Sequence, residues 1–349
     1  MKFLIYADPH WSAYSSIVRS RGDKYSTRLH NLINTINWLE QQAVQQYCDA
    51  VICLGDFFDK CDLNSEELTA LQEIKWSQNP HYFLTGNHEM GRGDLQFSSA
   101  HLFKLCPNTY TIDTQCVIDT GNNTRIVFLP YILEVNRQPL AEYLKPFNDG
   151  QNLIVMSHND ISGIQMGQYL SKDGFSIEEI EQNCKLFING HLHNGTNVGK
   201  NIINLGNITG QNFSEDAFVY SHKCLLLDTE EQTIDYLDNP YAFNFFKIDL
   251  TNTNEAQNIL NSLGSNAVVT IKTSIDNNDE IKQLLNNYPN IIESRVIVDL
   301  NKVNTENNED SLKDLSIDHI GKFIDYIKSN VGTSDKIMEE LTQLSGRGE

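Results

Sequence analysis

Apolar runs and amphipathic segments alternate along the first quarter of the chain. The runs at 2–7, 50–54 and 81–85 are short, and each is followed directly by glycine or aspartate, a pattern typical of buried strands. Between them, 27–47 and 65–76 place apolar residues at helical spacing. This order of strand, helix, strand, helix and strand predicts the beginning of an α/β sandwich.

The same kind of pattern continues to residue 240. Further strands are predicted at 110–118, 125–129, 153–156, 185–188, 201–205 and 223–228, with a helix near 139–147. Polar residues repeatedly stand where these strands end. In open α/β sheets, ligand sites form at such ends because loops from several strands converge there. We therefore expect a functional site at this edge of the predicted sheets.

The pattern divides the chain into four segments. Residues 1–240 form the predicted large domain, and 241–300 alternate strands and helices in the manner of a small α+β unit. Residues 301–314 are polar and rich in Asn, Glu and Asp, which predicts a linker. In 315–349, apolar residues recur at spacings of three and four, which predicts a helical tail.

Composition narrows the class of protein. The chain has 349 residues, of which 40% are hydrophobic and 21% charged, as is typical of a folded protein. No apolar run approaches the roughly 20 residues of a membrane-spanning helix, and the opening run is too short for a signal peptide, so we expect a cytoplasmic protein. Seven scattered cysteines without a C-x-x-C pair indicate neither a disulfide framework nor a zinc knuckle.

Five stretches of polar residues carry the candidate chemistry, and each follows a predicted strand. They are Asp8-Pro9-His10, Gly55-Asp56, Gly86-Asn87-His88-Glu89, His158 and Gly190-His191-Leu192-His193. Carboxylate, imidazole and amide oxygen together suit manganese, iron or zinc. Taken singly, a Gly-Asp pair is most often a turn and a lone histidine most often structural. Their joint order indicates a metal centre.

The spacing within these stretches favours two ions. Asp8 and His10 are two residues apart in an extended segment, so their side chains point the same way and can hold one ion together. His191 and His193 can approach the pair in the same manner. Two ions about 4 Å apart would clamp a phosphoryl oxygen and lower the pKa of a shared water. The glycines that precede the ligands are expected where the backbone lies close to a bound group.

The ordered set D-x-H, GD-x-x-D, GNH, H and GHxH resembles the calcineurin-like metallophosphoesterase superfamily, over residues 1–240. The resemblance implies an α/β fold, a four-layer α-β-β-α sandwich, and a hydrolase with two divalent ions. It implies that Asp8, His10 and His193 hold one metal, that Asn87, His158 and His191 hold the other, and that Asp56 bridges them. It also implies that His88 contacts the substrate phosphate and assists the leaving oxygen, oriented by Asp59.

A narrower resemblance concerns the SbcD-like (Mre-type) DNA repair nucleases and their phage recombination relatives. It rests on the GDFFD motif, on the early GNH, on 204–215, and on the layout of phosphoesterase domain, small α+β cap and helical tail. Two positions differ, because Glu89 stands where these nucleases usually carry aspartate and Asn207 where Ser or Thr is more usual. The resemblance implies a DNA exo/endonuclease that uses manganese, with magnesium, iron or zinc as alternatives.

The same resemblance implies partners. The cap would position DNA, two chains would form a homodimer, and the tail would bind the coiled-coil base of an SbcC-like ATPase. A tail that packs on its own domain is the alternative. The formal net charge of −20 argues against DNA binding through overall electrostatics. The candidate phosphate contacts, for which an ordinary solvated loop is the alternative, are Arg19, Arg21, Lys24, Arg28 and Arg92.

Three functions are therefore weighed. The first is a nuclease subunit of a repair or recombination complex. The second is a metallophosphatase or small-molecule phosphodiesterase on the same scaffold, against which the cap and tail count. The third is a DNA-bound scaffold for the ATPase with secondary hydrolysis, against which the complete ligand set counts.

Overall fold

The computed structural model describes residues 1–15, 24–166, 169–249, 253–273 and 278–298. The predicted linker at 301–314, the predicted tail at 315–349, and Arg19 and Arg21 lie outside the described residues. Among the described helices, none is long and apolar enough to cross a membrane.

Strands make up most of the regular structure in the described part. In chain order they are β1 (Lys2–Tyr6), β2 (Ala50–Cys53), β3 (His81–Leu84), β4 (Met90–Gly91), β5 (Asp94–Ser98), β6 (Thr109–Ile112), β7 (Cys116–Asp119), β8 (Thr124–Leu129), β9 (Asn152–Ser157), β10 (Ile161–Ser162), β11 (Gln165–Met166), β12 (Tyr169–Leu170), β13 (Phe175–Ser176), β14 (Leu186–Asn189), β15 (Thr196–Val198), β16 (Ile202–Asn204), β17 (Lys223–Asp228), β18 (Thr233–Asp238), β19 (Asn244–Asp249), β20 (Ala267–Thr273) and β21 (Ile291–Val298).

The helices are fewer and mostly short. They are α1 (Thr27–Gln45), α2 (Ser65–Ala70), α3 (Leu140–Leu144), α4 (Ile177–Asn183), α5 (Thr253–Ser262) and α6 (Asn278–Leu285), with 3-10 turns at Leu71–Glu73, Ser99–Leu105, Glu134–Asn136 and Lys145–Phe147. Helix α1 begins at Thr27 because the Ser26 side chain accepts a hydrogen bond from Leu29 N. It ends before the predicted residue 47, since Tyr47 adopts a left-handed φ of 54°.

Two six-stranded sheets form the centre of the fold. The first has the order β18-β17-β1-β2-β3-β6, in which β1, β2, β3 and β6 run parallel. The second has the order β15-β16-β14-β9-β8-β7, in which β16, β14, β9 and β8 run parallel. Parallel strands place their carboxyl ends at one edge of a sheet, so each sheet gathers several loops at one edge.

The sheets pack face to face, with helices on both outer faces. Phe3 and Ile5 of β1 belong to the core between the sheets, together with Phe128 and Met156 of the second sheet. Leu4 alternates to the other face and packs among α1 side chains. On the far side, Val127, Val155 and Phe187 of the second sheet pack with Leu140, Leu144 and Ile180 of α3 and α4. The predicted α-β-β-α sandwich is confirmed.

These layers explain why β1 and β9 are apolar at nearly every position. A strand between a helical layer and a second sheet is buried on both faces, so it reads as a continuous apolar run rather than as an alternation. Each fully buried Leu, Ile or Phe contributes about 1.5–3 kcal/mol relative to an exposed side chain. The first residues of the loops that follow these strands are therefore held in fixed positions by the packed sheets.

Residues after the sandwich form a smaller three-stranded sheet of order β19-β20-β21, with α5 and α6. Its core includes Ile248, Leu260, Val269 and Ile281. Apart from Val298, all described residues fall in one compact unit. The division of the chain at residue 240 stays a prediction.

Candidate metal centre

The side chains that the sequence predicts as ligands meet where the carboxyl edges of the two sheets come together. Asp8, Asp56 and Asn87 follow β1, β2 and β3 of the first sheet, and His158 and His191 follow β9 and β14 of the second. Backbone hydrogen bonds hold neighbouring loops, since His10 N donates to Asp56 O at 3.0 Å and Gly190 N to Ser157 O at 2.9 Å.

One group of donors comprises Asp8, His10 and His193. Their ligand atoms all lie within 4.8 Å of one another. His10 Nε2 is 3.1 Å from His193 Nε2 and 3.9 Å from Asp8 Oδ1. Asp8 is fully buried, and its carboxylate accepts from His191 N at 3.0 Å.

A second group comprises Asp56, Asn87, His158 and His191. His158 Nε2 lies 3.1 Å from Asp56 Oδ2 and 3.2 Å from Asn87 Oδ1. Asn87 Oδ1 is also 2.9 Å from His191 Nδ1. Asp56 faces both groups, because its Oδ2 is also 3.9 Å from His10 Nε2. The bridging role predicted for Asp56 agrees with this position and stays a prediction.

Oxygen acceptors behind three of the histidines decide which ring nitrogen faces the centre. His10 Nδ1 donates to Asp59 Oδ1 at 3.1 Å, and His158 Nδ1 donates to the Leu54 carbonyl at 2.7 Å. His191 Nε2 donates to Asp160 Oδ1 at 3.1 Å. Once one nitrogen of a neutral imidazole donates, the other carries the lone pair. The nitrogen that faces the centre is therefore Nε2 in His10 and His158 and Nδ1 in His191, and in the neutral ring this nitrogen can hold a cation.

The pKa values show that the centre attracts positive charge. Burial alone would lower the pKa of His158, but Asp56 raises it to about 9. Burial would raise the pKa of Asp56, yet His158 holds it well below its ordinary value, so this carboxylate is ionised. Burial, helped by His10, holds the pKa of His193 well below its ordinary value, so His193 is neutral. Without a metal ion His158 is thus protonated at neutral pH, and a divalent ion would replace this proton, because metal binding needs neutral imidazole and ionised carboxylate.

His88 lies at the exposed rim of the centre, with 42% of its side chain accessible. Its backbone N donates to Asp56 Oδ1 at 2.9 Å, and its Nδ1 donates to the Asp59 carbonyl oxygen at 3.0 Å. The Asp59 carboxylate instead accepts from His10, and lies 3.8 Å from His88 Nδ1. Asp59 therefore holds both rings, His88 through its backbone and His10 through its side chain. The roles predicted for His88 and Asp59 in the reaction stay predictions.

Comparison with known protein families adds an independent observation. Residues 1–195 match the family described as calcineurin-like phosphoesterase. The chain belongs to this family. Its members hydrolyse phosphoester bonds and bind two divalent metals, which agrees with the His and Asp clusters found here.

Several solved structures resemble the phosphoesterase chain at low identity. They are the protein TT1561 from Thermus thermophilus (11% identity, TM-score 0.40, covering 68% of this chain and 98% of that chain), a dimetal phosphatase from Danio rerio (14%, 0.41, 65% and 91%) and the calcineurin-like phosphoesterase YfkN from Bacillus subtilis (11%, 0.35, 68% and 88%). No match was found among curated proteins.

Four of the seven predicted ligands of this phosphoesterase occupy left-handed backbone. The φ angles are 51° at Asp8, 48° at His10, 48° at Asp56 and 70° at His191. Such conformations cost about 1–3 kcal/mol each in non-glycine residues and persist only where the surroundings impose them. Their concentration here indicates that the loops are shaped for the site rather than for stability.

Glycines leave the space that these ligands occupy. A Cβ on Gly55 would lie 2.3 Å from His158 Nδ1, and one on Gly86 would lie 2.1 Å from Asp56 Oδ1. A Cβ on Gly190 would lie 3.1 Å from Asp8 Oδ2. The glycines that precede the ligands are thus required for close packing of the ligands themselves.

Three further residues contact the site: Asp160 and Tyr131 were not predicted from the sequence, and Glu89 was named there without a role. Asp160 holds His191, as described above. Glu89 is fully buried, and its carboxylate accepts from Gly86 N at 2.8 Å and from Phe58 N at 3.1 Å, which ties two ligand loops together. Burial, together with Asp56, raises the pKa of Glu89 to about 7. The Tyr131 ring lies 5.8 Å from that of His191. The spacing of Asp160 two residues after His158 was the one signal available for it.

The structure describes three of the basic residues predicted to contact DNA. Arg28 is buried, with its guanidinium donating to the carbonyls of Gly210 at 2.8 Å and Pro9 at 2.9 Å. Lys24 forms an ion pair with Glu73. Arg92 is exposed and lies over the Phe97 ring. Arg28 thus braces the chain internally, and the DNA contacts stay predictions.

Gly86→Ala should displace Asp56, because the added methyl group overlaps its carboxylate. We expect weaker Mn²⁺ binding in isothermal titration calorimetry and a loss of about 1–3 kcal/mol in the free energy of unfolding in urea. Gly264→Ala is the matched control, since nothing lies within 4 Å of the Cβ it would add. Unchanged Mn²⁺ binding by Gly86→Ala would contradict the proposed position of Asp56.

Asp160→Ala should weaken Mn²⁺ binding by about 10–100-fold, because loss of a partner that orients a ligand histidine has this effect. Asp160→Asn should fall between this variant and the unchanged protein, since an amide oxygen can still accept from His191 Nε2 but carries no charge. Calorimetry and Mn²⁺ electron paramagnetic resonance measure both. The exposed Asp173→Asn is the matched control. If Asp160→Ala binds Mn²⁺ as tightly as the control does, Asp160 has no such role.

Proposed function

We propose that this phosphoesterase is a metal-dependent DNA nuclease, the exo/endonuclease subunit of a double-strand-break repair or recombination complex. Metal-dependent phosphoester hydrolysis follows from the family. The choice of a phosphodiester, and of DNA, is the proposal.

The observation that carries it is a pair of cavities, one on the His10 side of the metal centre and one on the His191 side. One cavity of about 130 Å³ is lined by His10, Asp59 and Gln211. A larger cavity of about 330 Å³ is lined by Tyr131, whose ring lies 6.5 Å from that of His158 and 5.8 Å from that of His191. A phosphomonoester has a group on one side of the phosphate only, whereas a diester has groups on both. Two flanking cavities therefore suit a diester.

The residues of the centre divide the chemistry among them. Asp8, His10 and His193 would hold one divalent ion and Asn87, His158 and His191 the other, with Asp56 between them. The bound ions would supply positive charge to the phosphoryl group and acidity to a water. Asp59, Leu54 and Asp160 keep the lone pairs of their histidine partners directed inward, so the ligands are preorganised.

We assign the action on the substrate to His88. This assignment is supported by its exposure at the rim and by the hydrogen bond from Nδ1–H to the Asp59 carbonyl, which leaves Nε2 free to face a substrate. As an imidazolium, His88 would donate from Nε2 to the leaving oxygen without giving up the hydrogen bond at Nδ1.

The narrower assignment rests on motifs and layout. GDFFD, the early GNH and the segment 204–215 support an SbcD-like nuclease that uses manganese. With that assignment we propose a cytoplasmic homodimer that acts on DNA and binds an SbcC-like coiled-coil ATPase through residues 315–349.

A metallophosphatase or small-molecule phosphodiesterase is the second candidate, and charge favours it. The formal net charge is −20, Lys24 is paired with Glu73, and Arg28, which lines the smaller cavity, donates to two backbone carbonyls. The positive charges of Lys24 and Arg28 are thus already paired or hydrogen-bonded within the chain, which leaves little for a polyanion.

Activity assays on the purified chain with Mn²⁺ separate the candidates. We expect cleavage of linear or hairpin DNA and slow hydrolysis of an aryl phosphate. His88→Ala should lower kcat on DNA by about 10²–10⁴-fold with Mn²⁺ content retained, as for loss of a general acid. Asp56→Asn should lose both activity and Mn²⁺.

Asp62→Asn, at an exposed position, is the matched control for Asp56→Asn. Hydrolysis of the aryl phosphate without cleavage of any DNA would refute the nuclease and support the phosphatase.

The tail requires a separate test. A chain that ends at residue 314 should keep the nuclease activity of the full chain and lose binding to an SbcC-like coiled coil in size-exclusion chromatography. Equal binding by the two chains would assign the tail to packing on its own domain.

A further inference from the structure

We infer that the larger cavity beside the metal centre is a nucleobase site, which receives the base next to the scissile phosphate. This inference rests on the proposal that the substrate is a phosphodiester of DNA, and it adds that at least one nucleotide is bound with its base unpaired.

The cavity is joined to the ligand loops. One wall is the hairpin of β4 and β5, which begins directly after the GNHE stretch, and Met90 N donates to Asn87 O at 3.3 Å. The opposite wall is the loop after β8, in which Tyr131 N donates to Thr85 O at 3.1 Å. A group bound between these walls is therefore one side chain away from His191, which contacts the Tyr131 ring.

The lining has two chemical faces. Met90, Leu95, Tyr131 and Leu133 supply apolar and aromatic surface, and all four are half-buried. Gln96 and Thr114 add hydrogen-bond donors and acceptors at exposed positions. A nucleobase combines apolar faces with a polar edge, and stacking on aromatic side chains is a common way to bind bases of single strands.

The charge of the cavity excludes the phosphate itself. Asp94 stands at the exposed rim, and no Lys or Arg is among the described residues that line the cavity. Asp113 is held in place by Lys104 and His101. An anion is repelled here and would be attracted by divalent ions in the metal centre, so the phosphate and the base of one nucleotide would occupy neighbouring sites.

Size agrees with this assignment. A volume of about 330 Å³ lies at the lower end of the range for small-molecule sites, about 300–1,000 Å³. A single nucleoside fits this volume, whereas a base pair with both of its backbones is larger than the cavity. The base must leave the duplex to bind, as at frayed ends and in hairpin loops.

The test measures binding of single nucleotides to the full chain with Mn²⁺ by calorimetry. The probes are deoxycytidine 3′-monophosphate, deoxycytidine 5′-monophosphate and, without a base, 2-deoxyribose 5-phosphate. We expect at least one nucleotide to bind at least about tenfold more tightly than the base-free probe, as stacking and hydrogen bonds to one base allow.

Leu95→Trp should fill the cavity. In this variant the nucleotide and the base-free probe should bind with about equal affinity. The affinity for the base-free probe should stay within about twofold of its value in the unchanged chain. Thr114→Trp, at an exposed position of the same cavity, should act in the same way and decides the question if Leu95→Trp does not fold. Leu105→Trp is the matched control, because Leu105 is 83% exposed and lies outside the cavity.

Two results would overturn the site: no advantage of either nucleotide in the unchanged chain, or an advantage that persists in both folded tryptophan variants of the cavity. Neither readout needs catalysis, so failure of the nuclease assay remains a distinct result. A chain that binds the base but cleaves no DNA keeps the nucleobase site and loses the proposed polymer substrate.

Discussion

Two buried carboxylates set the constraint on which the rest of the site depends. Asp8 and Asp56 are both almost fully buried, and each raises the pKa of its neighbours through its charge. A buried carboxylate is costly unless positive charge or hydrogen-bond donors compensate it. Backbone N–H groups of His191 and His88 and the His158 ring supply part of this compensation. Divalent cations held by the same histidines would supply the rest, and the strained loops place the donors for that purpose.

The fold sustains this arrangement only because the frame is rigid. Both sheets are buried on their two faces, so β1, β2, β9 and β14 cannot shift without disturbing a core. Each ligand stands within a few residues of such a strand. Left-handed backbone at Asp8 and His191 can then persist, since each residue follows within two positions of a buried strand, β1 or β14. Burial of the apolar strands thus fixes the positions of the polar ligand atoms in the loops that follow them.

Much of the fold and of the metal centre could be predicted from the sequence. The physical reasons for this also explain which residues could not be predicted. Asp56 and His158 could be found because each directly follows an apolar run, and the ends of parallel strands converge. The role of Asp160 could not be predicted, because it depends on contact with His191. That residue lies in a loop after a different strand of the same sheet. Arg28 looked like a surface charge, yet its guanidinium satisfies two backbone carbonyls in the interior. The short β4–β5 hairpin has no clear periodicity of apolar residues. The cavity that it lines could therefore not be predicted from the hydrophobic pattern.

The net charge of −20 bears on how the proposed DNA substrate would be held. Exposed charges act over about 8 Å at physiological ionic strength, so the overall field neither steers DNA to the site nor repels it strongly from a distance. Affinity for the proposed DNA substrate would then have to arise within contact range, from divalent ions held by the centre and from uncharged contacts to the base in the proposed site. An acidic chain can support recognition through metal ions and contacts to a nucleobase, because neither requires a positively charged surface. The acidic composition and the cavity beside His191 are in this sense consistent with each other.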